Sequence, residues 1–333
     1  MDIFKKCNCA LLFSDDPYSG VDANFYKHSN CEIDNSILLL CNGKKLLIAN
    51  KMNEREARQK CKFAVKSLFS RDVPAFLKKK ISKTAKIGLD FEAISSARYF
   101  RLKKIFGPRL VDISEELEQM RLQKTQEEIS NLKTAVKIAK TILNGLKLSP
   151  SMSELDVQKS LHIACLQKGV EFSFPPIIAS GKNSANPHHK PCAKKLGNGI
   201  VLIDFGVKYK GYCSDLSRCF FLGECKKEKE KYAQAKLIFS KLVDSFSSVR
   251  TIGQVAQIGD MECKKLGWPP MIHSFGHGIG IKVHDAPPLY SKSKQMILPN
   301  MALAIEPGYY CNQFGVRFED NILIGKKGAK LLQ

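Results

Sequence analysis

The sequence predicts an α+β protein in two domains, a smaller α/β unit over residues 1–122 and a larger one over 123–333. Three observations predict it. Residues 1 to about 122 alternate short apolar runs with turn signals and stretches of helical spacing. A long amphipathic helix then opens at Thr125. Beyond it, apolar strand-like runs that carry a carboxylate recur in both halves of 125–333, which hints at internal pseudo-symmetry. A chain of 333 residues is long enough for two cores.

In chain order, the runs 10–13, 37–41 and 45–48 read as strands. Asn42-Gly43 within SILLLCNGKKLLIAN is a strong hairpin signal, because both residues tolerate positive φ. Stretches 53–70 and 92–105 have helical character. Thr125 with Glu128 three residues on fits a capping box, and Ile129, Leu132, Val136, Ala139 and Leu143 recur at helical spacing. That helix ends near Gly145, and Pro150 prevents its continuation. Ser153 caps a second helix through Leu166, ending at Gly169. FSFPPIIASGKNSANPHHKP is a strand followed by a loop that carries His188 and His189. The apolar runs 200–205 and 216–222 flank a Lys208-Tyr209-Lys210-Gly211 turn and form a hairpin. A helix over 228–249 and a short helix lead to MIHSFGHGIGIKVHDAPPL. Two carboxylate-bearing strands, ALAIEPGYY and GVRFEDNILIG, close the chain.

Composition is ordinary for a globular protein, with 44% apolar and 26% charged residues. No apolar run reaches the about 18 residues a transmembrane helix needs, and the N-terminus lacks a signal-peptide cleavage pattern. A cytosolic chain is expected, with no membrane partner. The twelve cysteines include no CxxC, so reduced, structural thiols are expected and closed cysteine ligation of zinc is not indicated. The net charge of +21 invites a nucleic-acid role, but the lysines are spread along the chain, and KKEKEK at 226–231 reads as a solvated helix start.

Chemistry concentrates in the second domain. If the hairpin turn is centred between Tyr209 and Lys210, Asp204 and Asp215 face one another directly. Like charges so placed are destabilising and call for a cation. Oxygen-preferring divalent metals answer that need. Five of the seven histidines, His188, His189, His273, His277 and His284, lie in the same region. Glycines at 276, 278 and 280 around His277 let its backbone approach a ligand closely. Glu306 and Glu319 end apolar runs, where a carboxylate should be paired or hold metal. Arg317, two residues before Glu319 and on the same strand face, is a candidate salt-bridge partner. Four carboxylates and one imidazole form a hard donor set suited to two divalent ions, with manganese, cobalt or iron preferred over softer metals.

Asp204 in IDFG, Asp215 in SDLSR, His277 in GHGIG, Glu306 in IEPG and Glu319 in GVRFED resemble, in order, the ligand pattern of the pita-bread metallopeptidases. GVRFED, NSANPH and VHDAP look most like the proline-selective members, aminopeptidase P and prolidase. Residues 1–120 resemble, more weakly, the creatinase-type N-terminal domain. The resemblance implies a pita-bread catalytic domain and hydrolysis of the N-terminal Xaa-Pro bond of peptides through a metal-bridging hydroxide. Asp204 would hold one ion, His277 and Glu306 the other, and Asp215 and Glu319 would bridge them. The ions would be manganese, with cobalt, iron or zinc as alternatives. Glu306 would also shuttle the proton to the leaving nitrogen. His188 and His284 would act on the substrate, His284 at the oxyanion, with His273 beside the metals and Arg317 orienting Asp204 or a neighbouring carboxylate around the bound peptide. His189 receives no role and is expected to face solvent. Partners implied are peptides with proline at the second position and, as family members assemble through the N-terminal domain, a homodimer.

One departure bears on the substrate. Prolidases carry an arginine shortly after the VH motif, and VHDAPPLYSKSK offers only Lys292 and Lys294 further on. That favours an aminopeptidase over a strict dipeptidase. Prolidase, methionine aminopeptidase and a non-catalytic pita-bread binding protein are the alternatives in descending order, and bound metal separates the last from the rest.

Overall fold

The structure, a computed structural model, describes residues 3–15 and 22–333. The chain divides into two units, Met1–Arg121 and Leu122–Gln333. The first is built on strands β1 (Cys9–Ser14), β2 (Ser36–Cys41), β3 (Lys44–Asn50), β4 (Ala64–Leu68), β5 (Ile87–Leu89) and β6 (Leu110–Asp112). They form one mixed sheet in the order β4-β3-β2-β1-β5-β6. Asn42 and Gly43 join β2 to β3 with φ of 51° and 71°, the left-handed pair a two-residue hairpin requires.

Successive residues of β1 point to opposite faces, and both faces are buried. Ala10 and Leu12 pack with Phe25 of α1 (Ala23–Ser29), Ala57 of α2 (Glu54–Lys60) and Leu117 of α5 (Ser114–Leu122). Cys9 and Leu11 pack with Leu77 of α3 (Val73–Lys80) and with Leu102 and Phe106 of α4 (Ser96–Phe106). Two expectations fail in this unit. The helix expected over 53–70 stops at Lys60, and Ala64–Leu68 is strand β4, parallel to β3 at the sheet edge. Phe63 and Val65, two apart, pack on one core, which is strand spacing. Thiols were expected to be reduced, yet Cys9 and Cys41 form a disulfide, because the β1–β2 register sets them opposite one another with Cα atoms 4.4 Å apart.

The second unit repeats one plan twice. In its first half, α6 (Gln126–Gly145) and α7 (Glu154–Gln167) precede β7 (Glu171–Phe172), β8 (Ile177–Ser180), β9 (Gly199–Phe205), β10 (Val207–Tyr209), β11 (Tyr212–Cys213) and β12 (Leu216–Leu222). Ala135 of α6 and Leu161 of α7 share a core with Ile203 and Leu216 of the β12-β9-β8 sheet. In its second half, α8 (Lys226–Ser245) and α9 (Ile252–Lys265) precede β13 (Gly276–Gly278), β14 (Ala302–Ile305), β15 (Gly308–Tyr310), β16 (Gly315–Arg317), β17 (Asp320–Gly325) and β18 (Gly328–Leu331). Ile238 of α8 and Val255 of α9 pack on Leu303 and Ile322 of the β13-β14-β17-β18 sheet. Helices α6, α7 and α9 each open with a capping box, from Thr125, Ser153 and Thr251. Helix α9 has 14 residues, longer than the short helix expected there. No helix among the described residues is long and apolar enough to cross a membrane.

Candidate metal centre

Asp204 lies near the end of β9, directly opposite Ser217 of β12. The direct Asp204–Asp215 pairing expected from the sequence does not occur. Lys210 and Gly211, with φ of 46° and 76°, are the two turn residues, so Tyr209 pairs with Tyr212 and the register moves by two. A slip of two preserves the face each side chain occupies, whereas a slip of one would reverse it. Asp204 and Asp215 therefore still meet, diagonally, and with Glu319 their carboxylates offer oxygens within 4.8 Å of one another.

The second half supplies the opposite wall. His277, on β13, points Nε2 to within 3.6 Å of Asp215 Oδ2 and 4.0 Å of Glu306 Oε1. Its Nδ1 lies 3.0 Å from the Gly278 carbonyl, which fixes the tautomer that leaves Nε2 available as a ligand. Two of the flanking glycines, Gly276 and Gly278, are required by backbone packing. A Cβ on Gly276 would sit 2.0 Å from the Ala304 carbonyl oxygen, and one on Gly278 would sit 1.9 Å from that of Ala286. Strand β13 is thus clamped between β14 and segment 285–289, with Gly278 donating to Pro287 and Leu289 to Gly276.

Arg317 is buried and makes three contacts. Its Nη2 lies 2.5 Å from Asp204 Oδ2, its Nε donates to Ser217 Oγ at 2.8 Å, and its Nη1 donates to Tyr310 Oη at 2.6 Å. Ser217 passes the link on, donating to Glu319 Oε2 at 3.0 Å. Asn321 receives the Asp215 backbone N–H and donates to the Asp215 carbonyl, at 3.0 and 2.8 Å. Ser217, Tyr310 and Asn321 were missed in the sequence. Ser217 and Asn321 each stand two residues past a ligand candidate, the strand spacing that returns a side chain to the same face.

This cluster is short of positive charge. Burial pushes Asp215 and Glu319 well above the ordinary carboxylate range, and neighbouring carboxylates push the same way. Burial carries Glu306 up to about 8. His277 is lowered by burial to about 4, so it stays neutral and able to ligate. Asp204 Oδ1 and Asp215 Oδ1 are buried without a hydrogen-bond partner. Buried carboxylate oxygens of that kind are paired or bound to a cation, and the donor set of four carboxylates and one imidazole fits divalent ions.

Around the cluster, His284 stacks edge-on against His277 with ring centroids 4.3 Å apart and joins Asp215 and His277 as a compact donor group. His273 Nδ1 lies 3.7 Å from Glu306 Oε2, and its Nε2 lies 3.2 Å from Tyr310 Oη. Burial lowers His273 to about 4, against the Ser274 carbonyl, and the charges of Arg317 and His188 act in the same direction as burial. His188 is exposed on its loop, its N–H donating to Asn186 Oδ1. His189, expected in solvent, is half-buried with Nε2 2.8 Å from Glu154 Oε2.

Residues 130–326 match the model of metallopeptidase family M24, and residues 5–123 match the creatinase/prolidase N-terminal domain. The chain belongs to metallopeptidase family M24, with a creatinase-type N-terminal domain before a pita-bread catalytic domain. The X-Pro aminopeptidase structure from Thermotoga maritima superposes with a TM-score of 0.90 at 27% identity, covering 98% of this chain and 95% of that one. The prolidase from Pyrococcus horikoshii gives 0.89 at 26% identity, over 99% and 94%. A Mycoplasma genitalium protein provisionally named Xaa-Pro aminopeptidase is 33% identical over 63% of this chain. That match spans 62% of the relative's own length.

Proposed function

We propose that this chain is a dinuclear-metal aminopeptidase that removes the residue preceding an N-terminal proline bond. Asp204, Asp215, His277, Glu306 and Glu319 would hold the two ions. When bound, such ions supply Lewis acidity and a water made acidic at neutral pH. The chain's own groups supply the rest. Glu306 takes the proton of the attacking water and delivers it to the departing prolyl nitrogen as the C–N bond breaks. A carboxylate placed at the reacting atoms can act first as base and then as acid. His284, beside His277, donates to the carbonyl oxygen as it gains charge, and His188, exposed on its loop, contacts the N-terminal part of the peptide.

The observation that carries aminopeptidase over prolidase is the path of the chain after His284. Segment 285–289 is bound as backbone against Phe275, Gly276 and Gly278, and contributes Ala286, Pro287, Pro288 and Leu289. The next cations, Lys292 and Lys294, alternate with Ser291 and Ser293, whose carbonyls lie against Gly253 at the start of α9. The carboxylate of a dipeptide thus finds no arginine in this segment. Against that stands the comparable likeness to a prolidase.

The test is hydrolysis by manganese-reconstituted protein of an Xaa-Pro dipeptide, an Xaa-Pro-Yaa tripeptide and a Met-Ala-Ser peptide. The tripeptide is cleaved, and Glu306→Gln lowers kcat by about 10²–10⁴-fold. Preference for the dipeptide makes the chain a prolidase, and cleavage of Met-Ala-Ser alone makes it a methionine aminopeptidase.

A further inference from the structure

The loop that carries His188 is anchored by a second cluster, which shares no residue with the metal centre. Glu154, the first residue of α7, is fully buried. Its Oε1 is held by the Ser180 N–H, the Ser180 hydroxyl and Asn183 Nδ2 at 2.8, 2.8 and 2.9 Å. Its Oε2 faces two ligand-type side chains, His189 Nε2 at 2.8 Å and Cys192 Sγ at 3.2 Å, and also accepts from the Cys192 N–H at 3.1 Å. One ligand atom from each of Glu154, His189 and Cys192 lies within 4.8 Å of the other two. His189 also lines a cavity of about 670 Å³, with Lys182, Asn186 and Asn312 among its walls.

We propose that Glu154, His189 and Cys192 form a third metal site, one that takes zinc. Carboxylate, imidazole and thiolate are all zinc ligands, at about 2.0–2.3 Å. Tetrahedral ligation at those lengths sets ligand atoms about 3.3–3.6 Å apart. The observed 2.8 and 3.2 Å need only a sub-ångström widening. His189 and Cys192 lie in the segment between β8 and β9, outside any strand or helix, so that widening strains no ladder. Binding releases the thiol proton to solvent, and the imidazole proton, which the contact with the Glu154 carboxylate places on Nε2, moves by exchange with solvent to Nδ1 so that Nε2 can ligate. Three protein ligands leave a fourth position for water, and the cavity beside His189 can supply it.

The arrangement does not suit nucleophilic catalysis. The carboxylate stands between imidazole and thiol, where its charge opposes thiolate formation, and a cation removes that opposition. The chemistry also sorts the ions. Thiolate selects zinc, whereas the oxygen-rich centre at Asp204 and Glu319 suits manganese. Zinc at Glu154 would pin the loop that presents His188, one residue from His189.

The test uses cobalt(II) in place of zinc. Protein first loaded with manganese, then freed of excess metal, is titrated with cobalt(II) while the near-ultraviolet thiolate-to-cobalt charge-transfer band is followed. The five residues of the metal centre contain no sulfur, so that centre cannot give the band. One equivalent is expected to produce it, Cys192→Ser to abolish it, and His189→Gln to weaken cobalt binding at least about tenfold. Asp204→Asn should leave it intact. Glu154→Ala is avoided because Glu154 also anchors Ser180 and Asn183. A band that survives in folded Cys192→Ser, or no band in the wild type, overturns the proposal.

Discussion

Arg317 shows how much a single side chain does here. Its guanidinium reaches Asp204, Ser217 and Tyr310 in three directions, and through Ser217 it is linked to Glu319. A lysine ammonium, a point charge on a flexible stem, cannot reproduce that planar fork. Arg317→Lys is therefore expected to lower the rate or the metal affinity by about 10–100-fold with the fold retained. Steady-state kinetics and metal titration check this, and wild-type values for both would remove Arg317 from any orienting role. Candidate ligands are legible from sequence at this scale because carboxylates at the ends of apolar runs are physically anomalous. Ser217, Tyr310 and Asn321 are not, since their chemistry is ordinary and only the register shows what they face. His189 was misread for the opposite reason: its partner, Glu154, is 35 residues away and nothing local announces it.

Among the elements, the hairpin and strand β13 separate what pattern reveals from what it leaves open. Runs 200–205 and 216–222 were readable as paired strands, but the turn centre depended on whether Lys210 would accept positive φ. It does, and the register moved by two residues. Segment 53–70 failed because a short parallel edge strand follows α2 after only three residues. Glycines around His277 were recognised as special, although what crowds them is neighbouring backbone. Gly278→Ala follows from that. Its Cβ would meet the Ala286 carbonyl at 1.9 Å, so β13 or segment 285–287 must shift. Expected are a loss of about 1–3 kcal/mol in stability and a fall in metal affinity, because His277 moves with its strand. Thermal unfolding with and without metal measures both, and unchanged melting would refute the clamp.

For the whole molecule, the dominant fact is a negative, ion-seeking cleft inside a chain of net charge +21. Without ions, Asp215, Glu306 and Glu319 hold their protons more tightly folded than unfolded. Groups raised in this way stabilise the ion-free fold below their unfolded values, near 4.5 for Glu306, and that stability is lost as pH rises through about 8. Bound divalent ions remove the penalty. The melting-temperature gap between loaded and chelated protein should therefore widen from about pH 5 to about pH 8. A constant or narrowing gap in calorimetry would contradict this account of the cluster. The hydrogen bonds that join the two halves, Asn321 to the Asp215 backbone and Ser217 to Glu319, involve no ion. Bonds of this kind can hold the cleft together without an ion. Ion uptake is therefore expected to order few torsions and bury little new surface, with a small heat-capacity change as its calorimetric signature, that of a rigid mould being filled.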